Sequence, residues 1–169
     1  MIKIELAEIN DINDIMKMIH DCANDLIGQN IFQWNEKYPS RDIFLSDIEK
    51  KNLFILKNNS GIIGCIALSH EKDIEYNNVK WLNKDDKNLY VHRLAVDPKF
   101  QKKGIGKLLM DFAEDYARNN KFISVRLDTF SKNERNNRFY KSRKYTKLDD
   151  VYFPNQSEFP FHCYEKILD

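Results

Sequence analysis

A strand that runs through a glycine-bearing turn into a strongly amphipathic helix constrains this chain more than any other feature. The strand is read at Leu89 to Val96, and Asp97-Pro98 ends it. The helix is read from Ile105, Leu108, Leu109, Phe112, Ala113, Tyr116 and Ala117, which recur at i, i+3, i+4, i+7 and onward. Between the two lies Gln101-Lys102-Lys103-Gly104-Ile105-Gly106. A helix N-terminus offers unpaired backbone N–H groups and the positive end of its dipole. Glycines there let the backbone come close to a ligand. The combination makes an anion site suited to a pyrophosphate, with Lys102, Lys103 and Lys107 adding positive charge. A P-loop would need G-x-x-x-x-G-K-[ST], which does not occur. A dinucleotide fingerprint would need a third glycine where Leu109 stands.

The other elements fall around this unit. Ile2 to Leu6 reads as a first strand. Asn10 or Asp11 can cap a helix carrying Ile12, Ile15, Met16, Ile19, Ala23, Leu26 and Ile27, stopped by Gly28-Gln29-Asn30. A loop with Trp34, Tyr38 and Pro39 leads to a short helix from Arg41 to Lys50. Leu53 to Leu56 and Ile62 to Leu68 flank Asn58-Asn59-Ser60-Gly61, a hairpin signal. Lys72 to Asn88 is polar and loop-rich. Phe122 to Leu127 reads as a strand, and Ser131 with Glu134 reads as a capping box for a helix to about Lys141. Two strands close the chain, roughly Tyr145 to Phe153 and Phe161 to Ile167. Strands and helices mix along the whole length, so the class is α/β (α+β) around one mixed sheet. With no repeat and no linker composition, residues 1–169 are expected to form a single domain.

Composition narrows the function classes. Lys and Arg total 27 against 26 Asp and Glu, a net charge of +1, which gives no nucleic-acid footprint. Apolar runs such as Ile62 to Leu68 are too short to span a bilayer, and the N-terminal residues lack the apolar stretch of a signal peptide. A cytoplasmic protein with no membrane partner is expected. Cys22, Cys65 and Cys163 are widely spaced and odd in number, so they read as small buried hydrophobes rather than a disulfide framework or zinc site. His20, His70 and His162 are dispersed without metal spacing, and no metal is expected.

The segment from Leu89 to Tyr145 resembles the core of the GNAT acetyltransferases. That family has a strand ending in Leu-Ala-Val-x-Pro, then Gln/Arg-x-x-Gly-x-Gly/Ala, a helix, a further strand, and Asn-x-x-Ala-x-x-Leu/Phe-Tyr before Gly-Phe/Tyr. Here stand Leu94-Ala95-Val96-Asp97-Pro98, Gln101-x-x-Gly104-x-Gly106, and Asn133, Phe139, Tyr140 and Tyr145. Asn136 replaces the usual Ala and Lys144 the usual Gly. The resemblance implies a mixed, mostly antiparallel sheet of about seven strands with about four helices, splayed between the fourth and fifth strands. It further implies a single N-acetyltransferase domain that takes acetyl-CoA as cosubstrate. Pyrophosphate would lie at Gln101 to Lys107, and pantetheine would pair with the backbone of Leu94, Ala95 and Val96 as an added strand.

Acetyl transfer to an amine needs a neutral nucleophile, a stabilised oxyanion and a departing thiolate. An amine of pKa about 10.4 is neutral in only about 4 molecules in 10,000 at pH 7, a cost near 4.6 kcal/mol. His92, two residues before Leu94, is the candidate base, and Tyr90 could hold a water in a relay. The resemblance gives Tyr140 the role of protonating the thiolate and Asn133 that of holding the pantetheine arm. The acceptor is expected against Trp34, Tyr38, Tyr76 and Trp81, near Glu36, Asp73 and Glu75, since aromatic faces and carboxylates suit a cationic small-molecule or peptide amine. Two alternatives stay open: a non-catalytic acyl-CoA-binding module, and a transferase for a longer acyl group. The same aromatics could instead fill core or the interface of a homodimer.

Overall fold

The computed structural model describes residues 2–84 and 86–169. Strands β1 (Lys3–Leu6), β2 (Leu53–Asn58), β3 (Gly61–Ser69), β4 (Asn88–Val96), β5 (Ser124–Phe130), β6 (Thr146–Val151) and β7 (Phe161–Ile167) form one mixed sheet in the order β1-β2-β3-β4-β5-β7-β6. The helices are α1 (Ile12–Gly28), α2 (Arg41–Glu49), α3 (Ile105–Asn119) and α4 (Glu134–Ser142). Strands β4 and β5 pair in parallel, from Asn88↔Ser124 to Val91↔Leu127. Both strands run on past that ladder, to Val96 and Phe130. This is the mixed, splayed sheet of the GNAT fold that the resemblance implied.

The chain groups into two compact bodies, one of Met1–Leu68 with Arg93–Phe112, the other of Ser69–His92 with Ala113–Asp169. In the first, α1 buries Ile12, Ile15, Ile19, Ala23 and Leu26 of the predicted stripe together with Met18 and Cys22, while Met16 is only partly buried and Ile27 is exposed. Its expected cap differs. Asp11 turns its carboxylate back to the Glu8 N–H at 2.8 Å and to Lys57 Nζ at 2.9 Å, and makes no forward cap bond. Ser40 does cap α2, accepting from the Ile43 N–H at 3.3 Å, and α2 buries Phe44 and Asp47. The hairpin closes as predicted through Asn59-Ser60, with Asn58 opposite Gly61 and Gly61 at φ +110°. Gly64 on β3 has a packing reason: a Cβ there would lie 3.1 Å from both the Ala95 carbonyl oxygen and Leu109 Cδ1.

In the second body, β7 pairs antiparallel along β5 from Ser124↔Ile167 to Phe130↔Phe161, and β6 pairs on the other side of β7. Strand alternation therefore sets Ser124, Arg126 and Asp128 on one face with Cys163 and Glu165 beside them. On the opposite face Tyr164 reaches α4, donating to Asn137 Oδ1 at 2.6 Å. The capping box read at Ser131 and Glu134 is not formed. The helix starts two residues later than Ser131 implies, and Asn133 caps it by accepting from the Asn136 N–H at 3.1 Å. Asn is as good a cap as Ser, and it stands next to the first helical residue. No helix among the described residues is long and apolar enough to cross a membrane.

Candidate active site

The phosphate-binding candidate lies wholly in the first body. Asp97 follows β4, donates its N–H to the Ile63 carbonyl at 3.0 Å, and accepts from the Lys99 N–H at 2.8 Å. That turn delivers Gln101, whose side chain donates to the Val96 carbonyl at 3.2 Å and ties the loop to the strand end. Lys102 and Gly104 then take left-handed torsions, φ 60° and 80°. The two reversals bring the exposed loop into the first turn of α3, where Ile105 is buried beneath it. A Cβ on Gly104 would meet nothing within 4 Å, so its outer side is open for a ligand. This exposed, left-handed turn at a helix N-terminus, with Lys102, Lys103 and Lys107 around it, fits a diphosphate. Lys107 pairs with Asp111 at 2.7 Å, and Lys103 lies 5.0 Å over the Phe100 ring.

Before that loop, β4 is interrupted. Arg93 has φ 51°, a left-handed torsion that costs an ordinary residue about 1–2 kcal/mol. Its guanidinium is largely shielded from solvent and meets Asp47 of α2 through two bonds, Nε to Oδ2 at 2.6 Å and Nη2 to Oδ1 at 2.8 Å. Nη1 reaches the Tyr38 hydroxyl at 3.5 Å. Burial pulls the Arg93 pKa down, but Tyr38 and Asp47 more than offset it, so the charge is held. The backbone carbonyls of Arg93 and Val96 accept from the thiols of Cys65 (3.5 Å) and Cys22 (3.3 Å). Leu94, Ala95 and Val96 are thus bracketed by fixed points at both ends.

The second body gathers His92, Tyr90, Tyr76 and Trp81 into one aromatic group. A short 3-10 turn at Ile74–Asn78 carries Tyr76, whose ring lies 5.2 Å from Trp81, 5.9 Å from Tyr90 and 6.3 Å from His92. Tyr76 is fully buried and donates its hydroxyl to Asp128. Burial, reinforced by the Asp128 carboxylate, holds its phenol well above the usual pKa. His92 is about 10% exposed, with Nδ1 3.8 Å from Asp73. Tyr90 accepts from Arg126 Nη1 at 3.1 Å, and the Arg126 guanidinium lies 4.5 Å over the Trp81 ring. Arg126 and Glu165 form a fully buried pair at 2.9 Å. Glu165 also accepts from Ser124 at 2.6 Å, from the Leu82 N–H and from the Asn83 side chain, so it pins the segment after Trp81 to the sheet.

Also in this body, α4 carries Tyr140, 5% exposed, with its ring 5.9 Å from those of Tyr145 and Tyr164. Burial first, and Asp128 second, push its phenol pKa up, so it keeps its proton at neutral pH. Asn133, expected at the pantetheine arm, is the buried cap of α4. Of the four expected acceptor contacts, Tyr76 stacks on His92 and Trp81 packs on Tyr76, while Trp34 and Tyr38 belong to the first body. Trp34 is 8% exposed within the apolar cluster, and Tyr38 is the partner of Arg93. Three polar groups escaped the sequence reading: Asp47, Arg126 and Glu165. Their signal was a charged residue on a buried face, at i+3 from Phe44 in α2 and at alternating positions within the strands of Ser124-Val125-Arg126 and Tyr164-Glu165. Among the described residues, no group of three or more His, Cys, Asp or Glu could hold a metal ion.

Comparison with known proteins places this geometry. The chain is similar over 165 residues to the uncharacterized N-acetyltransferase YesJ of Bacillus subtilis (strain 168), at 23% identity, covering 96% of this chain and 88% of that protein. Its fold is similar to an acetyltransferase of the GNAT family from Streptococcus agalactiae, with TM-score 0.82 and 23% identity over 99% of this chain and 96% of the other. It is also similar to yncA of Salmonella typhimurium, solved with its cofactor acetyl-CoA, with TM-score 0.72 and 17% identity over 100% and 95%. The pattern described as the acetyltransferase (GNAT) family matches residues 16–145, so the chain belongs to that family.

Proposed function

We propose that the protein transfers an acetyl group from acetyl-CoA to a primary amine by direct attack in a ternary complex, working in the cytoplasm as one N-acetyltransferase domain of residues 1–169. The observation that carries this is the left-handed Lys102–Gly104 turn running into the N-terminus of α3 directly after β4. It suits a CoA diphosphate at the backbone of Gln101, Lys102, Lys103, Gly104, Ile105 and Gly106, with Lys107 adding charge. Leu94, Ala95 and Val96 would pair with the pantetheine amides. A backbone N–H in that stretch would meet the oxyanion.

In this reading His92 removes the proton from the attacking amine, directly or through a water, and the protonated Tyr140 donates to the leaving thiolate. Asn133, the cap of α4, would be the residue that holds the pantetheine arm. Tyr76 shapes the acceptor side at His92, with Trp81 packed on Tyr76. Asp73 and Asp128 favour a cationic acceptor.

The test is a panel of amines with acetyl-CoA, followed by release of free thiol, together with calorimetry of CoA on the wild type and on Gly104→Val. Thiol release with an amine, and loss of CoA affinity in a folded Gly104→Val protein, are expected. Tight CoA binding without turnover on any amine would turn the reading to a binding module. Unchanged affinity in Gly104→Val would remove the diphosphate from this loop.

A further inference from the structure

Arg93 joins two features that are seldom found together. It has a left-handed backbone torsion in the middle of a strand, and its charged head group is largely shielded from solvent and engaged by Asp47 and Tyr38. Glycine takes φ 51° without a steric penalty, so the torsion alone gives no reason for an arginine. What arginine adds is a rigid planar fork, here closed on both oxygens of Asp47. Asp47 is itself 6% exposed and sits on α2, one turn after the buried Phe44. The third contact is the Tyr38 hydroxyl, in the segment that leads from α1 to α2. The bend in β4 is therefore fixed from outside the strand, by a helix and by the connection before it. The Cys65 thiol holds the carbonyl of the same residue.

We propose that Arg93 is a positioning residue for the cofactor strand: the Arg93–Asp47–Tyr38 clamp sets the direction in which Leu94, Ala95 and Val96 present their backbone groups. The inference rests on the reading that these three residues receive the cosubstrate. A strand held in its binding geometry loses less freedom when a ligand pairs with it, so the clamp acts on affinity and on alignment without touching the ligand. Tyr38, at first sight an acceptor contact, belongs to this device. The connection between α1 and α2 thereby acquires a say in how the cofactor strand is set.

The test compares three folded proteins by calorimetry with acetyl-CoA and by steady-state kinetics. Arg93→Gly/Asp47→Asn keeps the torsion accessible and leaves no buried charge unpaired. Its acetyl-CoA affinity is expected to fall about tenfold, with KM for acetyl-CoA rising in step. Arg93→Lys, which keeps the charge but not the fork, is expected between it and the wild type. If the double variant does not fold, Arg93→Lys and Tyr38→Phe carry the same comparison. Folded variants with wild-type affinity and wild-type kcat and KM would overturn the proposal and leave the clamp a packing feature. Absence of acetyl-CoA binding in the wild type would instead overturn the functional reading beneath it.

Discussion

The phenol ring of Tyr76 lies stacked on the imidazole of His92, with centroids 6.3 Å apart and planes inclined by 24°. Tyr76 is anchored in turn by its hydroxyl on Asp128, and Nδ1 of His92 faces Asp73 at 3.8 Å. Tyr90 and Arg126 complete the polar surroundings on the adjoining strands. A ring held in this way is oriented before any substrate arrives. His92→Gln is expected to lower turnover about 100-fold at neutral pH, the low end for a lost general base, because a water can take part of its role. The loss should shrink at alkaline pH, where more of the amine is already neutral. A pH–rate profile identical to that of the wild type would place the base elsewhere.

Tyr140→Phe removes one hydroxyl from a ring packed among Tyr145, Tyr164 and Phe139. Packing and CoA affinity should survive while turnover falls about 100-fold. Full turnover, with chemistry shown to limit the rate, would make Tyr140 a core residue only.

Gly64→Ala tests the close approach of β3 to its neighbours. The new Cβ would stand 3.1 Å from the Ala95 carbonyl oxygen, which is backbone and cannot swing aside, and 3.1 Å from Leu109 Cδ1. A destabilisation of about 1–3 kcal/mol is expected in denaturant titrations, as for other overpacked sites. Because the carbonyl belongs to the strand proposed to receive the cosubstrate, weaker CoA binding should accompany it.

Lys144 takes φ 67° just after α4, where its N–H bonds to the Lys141 carbonyl at 2.9 Å and the following Tyr145 N–H bonds back to Tyr140 at 3.1 Å. That is the place where helices favour glycine. Lys144→Gly relieves the torsion at some cost in unfolded-chain entropy, for a net stabilisation of about 0.5 kcal/mol. A melting temperature equal to or below that of the wild type would contradict this.

Cys22 is one of three buried thiols, with Cys65 and Cys163, whose raised pKa limits stability on the alkaline side. Burial, helped by nearby Asp97, Asp25 and Asp21, raises its thiol from 9.0 to about 12. A raised acid pKa means that the folded state holds the proton more tightly. Its contribution is intact below about pH 9 and is lost as pH rises toward 12, at about 1.4 kcal/mol per pH unit. Cys22→Ala should flatten the fall in stability over that window, as read by denaturation at a series of pH values.

The sequence-level reading was strongest where a local pattern has one physical meaning. The spacing of Ile105, Leu109 and Ala113 has a single solution as a helix, and Asn58 to Gly61 between two apolar runs has a single solution as a hairpin. The turn from β4 into α3 was legible because Gly104 stands where a left-handed torsion is needed, whereas the same torsion at Lys102 has no local signal. What stayed hidden depends on partners distant in sequence. Nothing local reveals that Arg93 meets Asp47, 46 residues away, or that Arg126 meets Glu165, 39 away. Caps were misassigned for a related reason: Ser131 and Asn133 are both good N-caps, and backbone direction decides between them.

The strand order leaves β1 and β6 at the two margins of the sheet. Each is short, at four and six residues, and each carries charge along its length: Lys3 and Glu5 on β1, Lys147, Asp149 and Asp150 on β6. A bare margin is a template on which a strand from another molecule can dock, and lysines and carboxylates make that docking costly. Growth of the sheet by recruitment is therefore discouraged at both ends. The sheet is in this way kept from fibrillar association through its outer strands.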